Sequence, residues 1–192
     1  MTTIDLDSPD LTWIEHAIAG SDLPARLSML HADEASGTRT VFVKFPDGWR
    51  RDVVGHQPAG EEMLILTGSL TLSGHTTEVG EYLVVEPKAT RAATSVTDGT
   101  SAVVFFSGAG GGWADGEADD AGAITLLEVV AGKGRDEVPG LVGSTLFVED
   151  AAGTSYDVDA DVCWPNGRTF AHVPAGTPVP EGTGVAVVRL LG

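Results

Sequence analysis

Between Trp49 and Pro87 the chain reads WRRDVVGHQPAGEEMLILTGSLTLSGHTTEVGEYLVVEP. Two short apolar runs, 63–66 and 82–85, are punctuated by glycines at 60, 68, 74 and 80. Short strands separated by glycine turns at this spacing point to an antiparallel all-β unit. A polar cluster of His56, Gln57, Glu61 and Glu62 stands just before the first run. That is where a strand enters the core, and where such a unit would keep its chemistry.

The same punctuation extends along the chain. TVFVKF at 40–45 alternates β-branched and aromatic residues and reads as a strand, closed by the turn Pro46-Asp47-Gly48. Segments 62–66 and 69–72 flank Gly68 as successive strands, and Ser73-Gly74 reads as a hairpin turn. Pro87 ends the run at 82–85, Asp98-Gly99 is a further turn, and AVVFF at 102–106 is an apolar strand. Segment 25–31 alternates loosely. Segment 11–18 admits a short helix capped by Asp10 or a strand carrying Trp13. GAGGGWADGEADDAG at 108–122 lacks periodicity and reads as a linker, with Trp113 docked on a neighbouring surface. Strand signals then resume at 124–130, 144–148, 155–158, 169–173 and 185–190.

The two halves carry a weak repeat: GEYLVVEPKAT from Gly80 matches GRTFAHVPAGT from Gly167 with equal spacing to proline. An all-β chain of two related barrels in tandem follows. The first spans 1–107 with a peripheral N-terminal segment, the linker 108–122, and a shorter, more degenerate second barrel 123–192. The 25 glycines, 10 prolines and 6% aromatics suit a turn-rich β protein, and 42% hydrophobic residues suffice for its core.

Eleven basic residues against 28 acidic ones give a net charge of −17. Nucleic acid and anionic membrane surfaces are therefore not expected partners, since both demand clustered Lys and Arg. No apolar run approaches the roughly 20 residues of a membrane span. The N-terminal MTTIDLDSPD has neither the basic nor the apolar region of a secretory signal. Cys163 is the one cysteine and has no intrachain partner. A cytoplasmic location is the expectation.

HQPAGEEMLILTG resembles the first motif of the cupin superfamily, a His-x-His pair, a Glu a few residues later and a Gly closing the strand. His56, Glu62 and Gly68 take those places. Gly80 and Pro87 match the second motif, as do Gly167, Pro174 and Gly176 in the other half. The Gly-Glu-Glu before an apolar strand looks like the cupin domain of anti-sigma-factor type. The resemblance covers about 25–107, and 123–191 through its second motif. It implies a jelly-roll (double-stranded β-helix) fold, here as a bicupin, and makes a homodimer the expected assembly. It implies no single activity, because cupins host many chemistries.

A cupin metal site normally draws on three His and one Glu. Here the second His position falls on Pro58 and the motif-two His on Ala92, or on Arg91 if the register slips by one. In the C-terminal half the corresponding position is Val179. Proline has no side-chain donor and arginine does not ligate, so His56 and Glu62 alone remain, too few for a tight transition-metal site. His75 swinging in from its turn, with Glu61 joining Glu62, is the one rescue. The expected site holds no metal and no cofactor.

Neighbours on a strand point to opposite faces, so only one of Glu61 and Glu62 faces a barrel interior, and the motif register selects Glu62. Buried among Leu64 and Leu66, it would pair with His56 as an acid–base couple. Gln57, Tyr82 and Arg91 would bind and orient a small-molecule substrate. Such a couple suits isomerisation, elimination or ring closure. The rival readings are a ligand-binding or sensing module without chemistry and a metal-dependent cupin dioxygenase with its ligands in another register. His172, in FAHVPAG, reads as a satisfied core histidine. Nothing near Cys163 would activate its thiol.

Overall fold

A computed structural model describes residues 3–192. All of its regular elements are strands. No helix among the described residues is long and apolar enough to cross a membrane. Two compact units divide the chain, one of Thr12–Leu127 and one of Met1–Leu11 with Glu128–Gly192.

The larger unit is built on a seven-stranded antiparallel sheet. In spatial order its strands are Ile124–Glu128, Glu81–Val85, Gly60–Thr67, Ser101–Ser107, Thr38–Lys44, Ala25–Asp33 and Ile14–His16. A four-stranded sheet of Arg50–Arg51, Thr94–Val96, Ser69–Leu72 and His75–Glu78 completes the pair. The interior between them holds Met63, Ile65, Leu83, Val85, Val41, Val43 and Val104 from the first sheet and Leu70 and Leu72 from the second. Gly68 sits where the chain leaves one sheet for the other. Its φ of 69° and the closeness of the Thr100 side chain both exclude a Cβ there. Ser73 and Gly74, with φ of 49° and 85°, form the two-residue hairpin turn expected of them.

Segment 11–18 resolves as a strand, Ile14–His16 pairing with Ala25–Leu27. Trp13 lies beside Phe42, between the Arg26 and Lys44 cations. An aromatic that collects its neighbours across a sheet favours extended backbone over a capped helix.

The smaller unit has one six-stranded antiparallel sheet: Ile4–Asp5, Thr169–Val173, Ala160–Trp164, Ala186–Leu190, Thr145–Val148 and Gly134–Arg135. Irregular backbone supplies the opposing layer. Ala151, Tyr156 and Val179 pack on Val162, Trp164 and Val188, held by Val179 N–H donating to Thr154 O at 2.8 Å and Gly176 N–H to Tyr156 O at 2.8 Å. Residues 155–158, expected as a strand, lie in that irregular layer. The strand is Ala160–Trp164 instead, buried along its whole length and so without the alternation that marks a half-exposed strand.

The boundaries also differ from the expected ones. Residues 3–11 belong to the smaller unit, where Ile4 and Asp5 pair with Phe170 and Thr169. The expected linker 108–122 is part of the larger unit, because Ala114 and Asp115 pair with His56 and Gly55 and Lys88 Nζ meets Asp120 Oδ2 at 2.6 Å. Ile124–Glu128 then adds an edge strand to the seven-stranded sheet.

Candidate functional site

Gly60–Thr67 lies inside the seven-stranded sheet, flanked by Glu81–Val85 and Ser101–Ser107. Directly opposed residues share a face. Glu61 therefore shares one with Val85 and Phe106, and Glu62 shares the other with Val84 and Phe105. Since Met63, Ile65 and Val85 line the interior between the sheets, Glu61 is the acid on the interior face. This corrects the expected register: Glu62, fully buried, is on the opposite face with Leu64. Tyr82 stands opposite Leu64 on that same face and packs beside Phe105, 6.2 Å between ring centroids. Glu62 and Tyr82 thus lie away from the interior they were expected to line.

Around Glu61 the structure gathers basic side chains. Arg91 Nε donates to Glu61 Oε1 at 3.0 Å, and Gln57 Nε2 to Oε2 at 3.4 Å. Arg91 is completely buried, and its Nη1 also donates to Ala89 O at 3.1 Å. Backbone bonds between Gly55 and Arg91, at 2.8 and 3.1 Å, hold the Arg91 loop against the start of the motif. Arg51, 5% exposed, donates from Nη2 to Thr94 Oγ1 at 3.2 Å. Burial brings the Arg51 guanidinium down to about 10, opposed by the attraction of Glu61 and assisted by the repulsion of Arg91. Arg39 is also lowered, by burial foremost, with Glu61 again attracting it. Its Nη1 donates to Gly108 O at 3.1 Å, and its guanidinium sits 4.1 Å from the Phe106 ring centroid.

Two buried guanidinium nitrogens in this group, Arg51 Nε and Arg91 Nη2, have no hydrogen-bond acceptor among the described residues. The segment after Gly108 packs against Arg51. Trp113 lies 4.8 Å from the Arg51 guanidinium and packs on Gly55, where a Cβ would overlap the indole. Trp113 Nε1–H donates to Asp115 Oδ1 at 3.1 Å. The docking surface expected for this tryptophan is therefore the motif-one entry itself.

His56 is half-buried beside this segment, with Nδ1 3.0 Å from Gly116 O. A carbonyl only accepts, so in the neutral ring Nδ1 carries the hydrogen and Nε2 the lone pair. Pro58 and His75 are exposed, which leaves no donor at the first and no inward swing at the second. Of the residues singled out from the sequence, Gln57 and Arg91 both bond Glu61, while Glu62 and Tyr82 lie on the opposite face; Arg51 and Arg39 were not among those residues. The Arg50-Arg51 pair just upstream of the motif, in a chain with only eleven basic residues, was the available signal.

In the smaller unit Asp161, buried, stands directly opposite His172 on one side and Arg189 on the other. His172 Nδ1 and Asp161 Oδ1 are 3.0 Å apart, and Asp159 Oδ2 is 3.8 Å from Nε2. The Asp161 hydrogen bond foremost, then the Asp161 and Asp159 charges, hold the imidazole above its ordinary value against the opposing pull of burial. Burial pushes the Cys163 thiol up to about 12.

Glu61 is bonded to the Arg91 guanidinium, and His56 is the one imidazole in the motif-one stretch.

No family model matches the sequence, and no curated protein matches it. Solved structures do. A candidate dioxygenase from Nostoc punctiforme is 13% identical over 98% of this chain and 81% of that one, with a TM-score of 0.71. A candidate glyoxylate-induced protein from Pseudomonas aeruginosa is 12% identical over 97% and 86%, with a TM-score of 0.52. Identities this low speak to fold alone. What this chain shares with them is an all-β fold.

Proposed function

We propose that the chain is a metal-independent cupin whose larger unit binds a small molecule at the Glu61 end of its interior. The observation that carries this reading is the 3.0 Å Arg91–Glu61 pair. A guanidinium neutralises the interior carboxylate, the task a cation performs at a cupin metal site, and leaves that carboxylate poorly able to ligate. Both Glu61 oxygens already accept bonds, one from Arg91 and one from Gln57, so the carboxylate orients its donors. This favours binding over the isomerase, lyase or cyclase chemistry assigned to His56 and Glu62. A second reading, acid–base chemistry by His56, rests on the Nε2 lone pair that the Nδ1 contact with Gly116 O leaves on the ring.

The test is metal loading. After incubation with Fe, Mn, Ni or Zn and desalting, elemental analysis is expected to find no stoichiometric ion. About one ion per chain, lost in His56→Ala, would overturn the reading.

A further inference from the structure

We propose that the larger unit holds a second ligand site, a groove for the zwitterion of an apolar α-amino acid, at the far end of the sheet from Glu61. Strand Thr38–Lys44 fixes the separation: Arg39 is level with Phe106 and Glu61, whereas Lys44 is level with Ser101. Beyond Lys44 an open groove of about 450 Å³ runs between the turn Phe45-Pro46-Asp47 and the segment Leu23-Pro24, with Arg26 and Glu15 beside it. That volume lies in the range of small-ligand sites. None of these residues belongs to the Glu61 cluster, so the two sites stand or fall separately.

Strand register lines up the charges. Arg26 is directly opposite Lys44 on one side and Glu15 on the other. Two cations directly opposed destabilise a sheet, and here neither has a carboxylate within ion-pair distance among the described residues. Trp13 takes up both instead, its ring centroid 5.0 Å from the Arg26 guanidinium carbon and 4.8 Å from Lys44 Nζ. Arg26 is exposed and Lys44 half-buried, so both stay within reach of a ligand carboxylate. The acids select a zwitterion. Glu15 and Asp47 bring two negative charges to the two positive ones, so the lining has no net charge with which to hold a simple anion. A molecule carrying both signs satisfies both. Directly opposed residues have Cβ atoms about 5 Å apart, so Glu15 and Arg26 are spaced for an ammonium and a carboxylate on one carbon atom. Asp47 Oδ1 accepts from Gly99 N–H at 3.1 Å, which fixes the second acid at the rim. The rest of the lining is apolar and held in place. Trp49 Nε1–H donates to Leu23 O at 3.0 Å, and the Trp49 ring lies 4.8 Å from that of Phe45. Leu23, Pro24, Phe45 and Pro46 thus give an apolar side chain a preformed wall.

Calorimetric titration of the full chain with L-leucine and L-phenylalanine tests this, with N-acetyl-L-leucine, L-leucinamide and glycine run beside them. Saturable binding of leucine or phenylalanine is expected, weakened about tenfold or more in Arg26→Gln, in Lys44→Gln and in Glu15→Gln. Arg26 and Glu15 are exposed, so those two variants keep the fold, and unchanged circular dichroism checks it. N-acetyl-leucine lacks the cation, leucinamide lacks the anion and glycine lacks the apolar body, so each is expected to bind more weakly than leucine. No saturable binding of either apolar amino acid up to about 20 mM overturns the proposal. So does binding indifferent to Arg26, Lys44 or Glu15. N-acetyl-leucine or leucinamide binding as tightly as leucine overturns the zwitterion assignment, and glycine binding as tightly overturns the apolar wall.

Discussion

Glu61 and Glu62 are one position and one sheet face apart, and the interior site proposed for the larger unit depends on which of them points inward. Glu61 accepts from a fully buried guanidinium. Replacing it with glutamine keeps the shape and removes the charge, so Arg91 is left as a buried cation without its counter-ion. Glu61→Gln is expected to lower unfolding free energy by about 3 kcal/mol. His56→Ala loses one bond from a half-buried ring to Gly116 O and should cost about 1 kcal/mol. Urea denaturation of the two variants measures both, and a Glu61→Gln cost no larger than that of His56→Ala would contradict the interior assignment. Alternation alone told that the two acids face opposite ways. It could not tell which faced in, because Gly60–Leu66 is buried on both faces. A strand covered on both sides carries no polar–apolar rhythm from which parity can be read. The arginines were harder still to read, since Arg51 and Arg91 are 40 positions apart in the chain.

At the scale of elements, punctuation proved more legible than periodicity. The Ser73-Gly74 and Asp98-Gly99 turns, and the strands Ser69–Leu72 and Thr169–Val173, stand where turn chemistry puts them. The turn after Trp164 also held unused information. Counting back from the Trp164–Thr169 pair sets Asp161 opposite His172, which supplies the acidic neighbour that the histidine lacked in linear sequence. Arg189, Asp161 and His172 form a row across three adjacent strands. This row makes the smaller unit sensitive to pH. Asp161 and Asp159 raise the His172 imidazole, so the folded chain binds that proton more tightly than the unfolded chain. The resulting stability is fully present below the unfolded value of about 6.5 and is lost as pH rises through the higher folded value. Urea midpoints taken at about pH 5.5 and about pH 8.5 are expected to show a decline with rising pH. His172→Gln should remove this part of the decline. An identical pH dependence in the variant would mean that the row does not report on protonation.

Across the whole molecule the chain begins in one unit, builds the other, and returns. Ile4 and Asp5 pair with the strand Thr169–Val173, and Leu6 N–H donates to Arg168 O at 2.9 Å. Leu6 is completely buried, while the neighbouring Asp7–Arg168 ion pair, at 2.7 Å, has its acid more than half exposed. An exposed pair of this kind contributes little, so the attachment of the N-terminal strand falls mainly to Leu6. Nothing in MTTIDLDSPD announces this, because a two-residue strand with one apolar anchor is too short to show a pattern. Its partner lies more than 160 positions away. Leu6→Ala is expected to cost about 2–5 kcal/mol. The loss should be local. Hydrogen exchange is expected to quicken in Thr169–Val173 and Ala160–Trp164, where the sheet loses its capping strand, and to stay unchanged in Gly60–Thr67 and Ser101–Ser107. Were the larger unit's strands to lose protection first, the N-terminal residues would belong to the wrong sheet. Unchanged exchange everywhere would make Leu6 a passenger on the surface rather than the anchor its burial describes.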